Sequence, residues 1–212
     1  KTKDKYLKEN ISDVIIKKVW DFFWEMLLLN LSPSVIENII SAELVFFTLK
    51  DNPKTDWLGV ISSYHKILDN LIEAHITKWF RKFAKKKKGL NLRVNSSLEK
   101  TLDLVVNRWY ILWVSRLYNF LSTVKSWEKL YDFGEVLFEY LEKYDYIWKI
   151  MFSKKVYSSL DKLVTSEILG KKRHIWKISL KETKKARDIL IWDFKDKDCL
   201  IYKLVELWKV DF

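Results

Sequence analysis

Residues 6–31 read YLKENISDVIIKKVWDFFWEMLLLNL, and Ile11, Val14, Ile15, Val19, Phe22, Phe23 and Met26 recur in it three and four residues apart. That is the period of a helix with one face turned to a core, and it predicts a first helix over about Tyr6 to Leu31. The same period runs along almost the whole chain, which has only four Gly and two Pro in 212 residues. Strand and tight-turn signals are too sparse for a β fold, so the chain is expected to be all-α, a single-domain bundle of about eight to nine helices. With 49% hydrophobic residues, a chain of this length can bury about two-thirds of its unfolded surface in one core.

Boundary signals divide the pattern. Ser32-Pro33 restarts the chain: a serine hydroxyl can accept a free N–H, and proline at the first helical position lacks one that would be orphaned anyway. This predicts a second helix to about Leu49, separating an N-terminal helix (1–31) from a bundle (32–212). Asp51-Asn52-Pro53 breaks that helix, and Thr55 or Asp56 can cap a third one running to about Ala84. Ser96 and Glu99 have the offset of a capping box, opening a fourth helix to about Leu121. A short helix at Trp127 to Tyr131 is expected next, then one from Glu135 to Phe152 and one from Lys155 to Leu169, with Gly170 as its C-cap. Ser179 and Glu182 form a second capping box, opening a helix to about Trp192, and a last helix spans Asp198 to Lys209. Strands are not expected, although Arg93-Val94 and Trp176-Lys177-Ile178 alternate briefly and could pair as a short ribbon.

Several chemistries are excluded. Cys199 is the single cysteine, so no disulfide within the chain is possible and an intracellular, cytoplasmic setting is expected. The apolar run Val19 to Leu31 is interrupted by Asp21 and Glu25 and is shorter than the roughly 20 residues of a bilayer span, so no membrane insertion is expected. Lys1 reads as a processed start or the edge of one domain in a longer protein. Glycine-rich phosphate loops are missing from the sequence. His65 and His75 differ by about 280° around one helix, so no metal or other cofactor is expected. Asp193, Asp196 and Asp198 lie among Lys195 and Lys197 and read as a solvated turn. Trp20, Trp24, Trp109, Trp113 and Trp148 recur at helical spacing and read as core or interface; an aromatic surplus on one face would suggest a homodimer. Glutamine is absent while Lys, Glu, Ile and Trp abound, a thermophile-like bias.

Charge carries the functional reading. The chain is net +11 with a pI near 9.4, which favours polyanionic partners. From Ala74 to Leu98 there is no acid, but there are Lys78, Arg81, Lys82, Lys85, Lys86, Lys87, Lys88 and Arg93, interleaved with Trp79 and Phe83. Such a patch neutralises phosphates, and a neighbouring ring can stack an unpaired base. A second acid-free stretch, Ile168 to Lys181, holds Lys171, Lys172, Arg173, His174, Lys177 and Lys181.

The segments Ser41-Ala42-Glu43-Leu44-Val45-Phe46-Phe47 and Asp56 to Asn70 resemble the paired helices of HEPN-like domains. Leu169 to His174 and Ser179 to Arg187 are similar to that family's stretch before its last helices, so the resemblance covers about residues 32 to 212. It implies an all-helical fold and, in catalytic members, metal-independent RNA cleavage through the 2′-hydroxyl by an Arg and a His with four to six residues between them. Here His174 matches the histidine, but Glu167, Ile168 and Leu169 stand where the arginine belongs, and Arg173 is adjacent instead. The expectation is therefore a catalytically inactive HEPN-like module that binds RNA or another polyanion. The alternatives are a divergent ribonuclease using His174 with Arg173 or Lys172, and an oligomerisation domain.

Overall fold

The computed structural model describes residues 2–23, 31–52, 54–87, 89–90, 96–165 and 178–209. These residues are all-α: among them there is no strand, and no helix is long and apolar enough to cross a membrane. The proposed ribbon at residues 93–94 and 176–178 and the Gly170 cap fall, apart from Ile178, outside the described residues.

Helix α1 spans Thr2–Phe23 and α2 Pro33–Leu49. Pro33 is at the first helical position as expected, but the Ser32 hydroxyl makes no cap bond and lies 3.0 Å from that of Ser34. Helix α3 spans Leu58–Ile72, and Asp56 Oδ1 accepts the Leu58 N–H at 3.0 Å. It runs through a π-helical turn, Glu73–Thr77, into α4, Lys78–Ala84. This axis presents a wide apolar face, including Ile61, Tyr64, Leu68, Ile72, Ile76 and Phe80, all fully buried. Burial of a side chain such as Phe80 stabilises the fold by about 1.5–3 kcal/mol. The π turn, closed by Lys78 N–H donating to Glu73 O, winds less per residue than an α-helix. It thereby keeps His65, Asp69, Glu73, Thr77 and Arg81, each four residues apart, near one side of the axis.

The fourth expected helix is two, α5 (Ser97–Asn107) and α6 (Val114–Lys125), because Trp109 takes a left-handed backbone with φ 61°. No helix forms at Trp127 to Tyr131; Trp127, at φ 57°, ends α6 instead. The expected helix from Glu135 to Phe152 divides at Tyr144 (φ −105°, ψ 78°) into α7 (Asp132–Lys143) and α8 (Asp145–Met151). Helix α9 spans Lys154–Thr165, and α10 spans Leu180–Leu190 behind a complete Ser179–Glu182 capping box. A 3-10 turn, Trp192–Phe194, leads to α11, Leu200–Val205, and a last 3-10 turn, Glu206–Lys209.

Helix α3 packs against α2, α6, α10 and α11, while α4 packs against α5 and α7, so this axis joins two groups of helices around one continuous core. The first helix joins this core rather than standing apart, since Phe22 and Phe23 meet Tyr202 with centroids 5.3 and 6.0 Å apart. A buried ionic clasp ties α2, α3 and α10. Arg187 donates to both carboxylate oxygens of Glu43 at 2.7 to 3.1 Å and to Asp193 at 2.8 Å, and the Tyr64 hydroxyl donates to Glu43. Burial first, and then the charge of Glu43, pushes the Tyr64 phenol well above its ordinary pKa, so it stays a donor. Asp193 thus belongs to the clasp and not to a solvated turn. Burial opposes its charge, but its bond to Arg187 holds it below the usual carboxylate range. Removing one member of such a pair costs about 3–5 kcal/mol, because the other charge is left buried.

Candidate nucleic-acid interface

The first basic stretch is built on the outer face of α4 and the turn after it. Lys78 and Lys82 are one helical turn apart and exposed, and the Trp79 ring lies between them, 5.7 Å from Lys78 Nζ and 4.1 Å from Lys82 Nζ. Lys85, Lys86 and Lys87 are not free coil. Their N–H groups donate to Arg81, Phe83 and Ala84 carbonyls at 3.0 to 3.1 Å, which winds three exposed ammonium groups onto the end of the helix. Lys87 is partly neutralised by Glu139 at 2.6 Å.

Arg81 is the correction in this group. It is 4% exposed and donates to the carbonyls of Val105 at 2.8 Å and Tyr110 at 3.0 Å and to Glu73 at 3.3 Å, so it is spent inside the fold. What it does there is build the surface. By holding the chain on both sides of Trp109 against α4, it sets that ring 4.7 Å from its own guanidinium and 4.6 Å from Lys85 Nζ. Trp109 is 69% exposed and Trp113 42%, so of the core or interface expected from their spacing, the core is not where they lie. The exposed Trp109 and the half-buried Trp79 thus lie beside the cations Lys78, Lys82 and Lys85. A base can stack on such a ring while ammonium groups meet the phosphates on either side.

Lys88 and Arg93, and Lys171, Lys172, Arg173, His174 and Lys177 of the second stretch, lie outside the described residues. Lys181 is exposed at the start of α10, which packs against α3, α9 and α11 rather than beside α4.

The other titratable candidates are structural. His65 Nδ1 lies 2.8 Å from Asp69 Oδ2 on the same helix, and burial lowers the His75 imidazole to about 4. Cys199 is buried and its thiol is pushed up to about 12, chiefly by desolvation, which makes it a poor nucleophile. Asp196 accepts the Asp198 N–H and pairs with Lys155 at 3.4 Å, and Asp198 pairs with Lys203 at 3.1 Å, as expected of a solvated turn. Among the described residues no group of three or more His, Cys, Asp or Glu is arranged to hold a metal ion. Comparison with known proteins finds no matching family model, no matching curated protein and no matching solved structure.

Proposed function

We propose that this chain is a HEPN-like helical module, lacking the paired arginine and histidine of the catalytic members, that binds single-stranded RNA or a similar polyanion on the outer face of α4. The observation that carries the reading is the exposed Trp109, held in a left-handed turn beside Lys85, with Trp79 between Lys78 and Lys82 on the same helix. The cations supply affinity that falls with salt, and the indoles supply stacking that does not.

These two contributions separate by experiment. Titration of labelled single-stranded RNA at several salt concentrations, with EDTA present, should give a steep salt dependence. Lys78→Ala, Lys82→Ala and Lys85→Ala combined should flatten the log–log slope by about 2, since each phosphate contact contributes about 0.7 for single strands. Trp109→Gly, which suits the left-handed backbone, should weaken binding by about 1–3 kcal/mol with the slope unchanged. An unchanged slope in the triple variant would overturn the assignment of the site. RNA cleavage lost in His174→Ala would put the ribonuclease reading in its place.

A further inference from the structure

Ile11, Val14, Ile15 and Lys18 follow one another at steps of one helical turn or less along α1, so they share one face of that helix. Ile15 is buried, but Val14 is 56% exposed and Ile11 only half-buried, so the face is incompletely covered. Against it packs α2, whose C-terminal end carries Phe47 in the last turn, Lys50 as the cap residue and Asp51 after it. A groove of about 400 Å³ opens between the two, lined by these seven residues. A cavity of that size suits a small molecule rather than a helix or a nucleic-acid strand.

Charge narrows the choice of ligand. Three cations gather at the Phe47 ring, Lys18 Nζ at 5.1 Å, Lys50 Nζ at 5.2 Å and the Arg187 guanidinium at 5.1 Å from its centroid. They come from three different helices, α1, the end of α2 and α10. Arg187 is already met by Glu43 and Asp193, whereas neither lysine makes an ion pair among the described residues. Lys18 adds only a longer-range attraction to Asp193. The lining therefore offers two ammonium groups against one carboxylate, the exposed Asp51, and one positive charge is left over. A ligand with a single negative charge makes the groove neutral, while a polyanion brings charge that nothing here matches.

The remaining lining fixes the body of that ligand. Ile11, Val14 and Ile15 present branched alkyl groups, and cations already attend the one ring. An aliphatic chain fits such a surface better than a stacked aromatic plane, and it would cover Val14 and Phe47 from water.

We propose that this groove binds a medium-chain aliphatic monocarboxylate, its chain along Ile11, Val14 and Phe47 and its carboxylate at Lys18 and Lys50. The test is calorimetric titration of the full chain, freed of nucleic acid, with decanoate below its micelle-forming concentration, and with decanol and decyltrimethylammonium as probes of the same chain length. Decanoate should bind about tenfold or more tightly than decanol, and decyltrimethylammonium more weakly than either. From hexanoate through octanoate to decanoate the affinity should rise about tenfold for each two methylenes removed from water. Lys18→Met combined with Lys50→Met keeps unbranched apolar side chains and should reduce decanoate to the affinity of decanol, with decanol unchanged. Lys18→Glu combined with Lys50→Glu should turn the preference toward decyltrimethylammonium, a reversal that a merely structural role for the lysines would not produce. Melting temperatures report whether each variant is folded, and the methionine pair decides if the glutamate pair is not. Decanoate that fails to bind, that binds no better than decanol, or that binds the methionine pair as tightly as the wild type would overturn the proposal.

Discussion

His75 lies in the π turn, 8% exposed, and burial lowers its imidazole to about 4 from an ordinary value near 6.5. The folded chain keeps the ring neutral, while the unfolded chain takes up a proton from about pH 6.5 downward. Because the unfolded state then binds more protons, stability is full above about pH 6.5 and is lost progressively as the pH falls toward about 4. Urea unfolding at about pH 7.5 and about pH 4.5 should show the wild type losing about 2–3 kcal/mol more than His75→Leu over that interval. Equal losses would mean that the imidazole is protonated inside the fold. Single residues of this kind were the least legible part of the sequence. Arg81 reads as a phosphate contact because it lies in a run of cations, yet its acceptors, the carbonyls of Val105 and Tyr110, come from more than twenty residues away. Arg187 and Glu43 find each other across 144 residues, a pairing that no local pattern encodes. Trp109 repeats at helical spacing and so reads as core, but the spacing does not register that the chain turns left-handed there.

Helix ends were more legible than side-chain roles, and Ser96–Glu99 shows both the reach and the limit of end signals. Ser96 Oγ accepts the Glu99 N–H at 3.1 Å as a capping box requires, but the Glu99 carboxylate does not return to Ser96. It crosses to α7 and accepts the N–H groups of Phe133 at 3.1 Å and Gly134 at 2.9 Å, serving the start of a helix whose own cap residue, Tyr131, offers no side-chain acceptor. Burial raises the Glu99 pKa, and these two N–H bonds oppose the rise. The arrangement leaves no room at Gly134, where a Cβ would stand 3.0 Å from Glu99 Oε1 and 3.3 Å from Leu130 Cδ2. Glycine inside a helix ordinarily costs about 1 kcal/mol relative to alanine, so Gly→Ala usually stabilises. At Gly59, with nothing within 4 Å, the gain should appear as a raised melting temperature. At Gly134 the sign should invert, because the displaced carboxylate would give up two N–H bonds. Thermal unfolding of the two variants decides it, and a rise in both would show that Glu99 swings aside freely. The breaks at Trp109 and Tyr144 went unread for a related reason. Neither carries Gly or Pro, and Leu102, Val105, Leu112, Leu117 and Phe120 keep helical spacing straight through the first of them.

At the scale of the whole molecule, the charge of +11 acts on the fold as well as on its partners. A compact chain with this surplus repels itself, and added salt screens the repulsion, so the free protein should melt at a higher temperature as salt rises from low to moderate concentration. Bound polyanion works the other way. It neutralises the surplus most effectively at low salt and is released as salt increases. A ligand at about a hundredfold excess over its dissociation constant stabilises the folded state by about 2.7 kcal/mol. For a chain of this size, that corresponds to a shift of roughly 5–10 °C. Melting curves with and without single-stranded RNA should therefore differ most at low salt and converge as salt rises, the free curve climbing to meet the bound one. Combined Lys78→Ala, Lys82→Ala and Lys85→Ala should narrow the gap at low salt. A gap as wide at high salt as at low salt, and unchanged in the triple lysine variant, would mean that the partner is held by contacts other than charge, and that the lysines of α4 only solvate their helix.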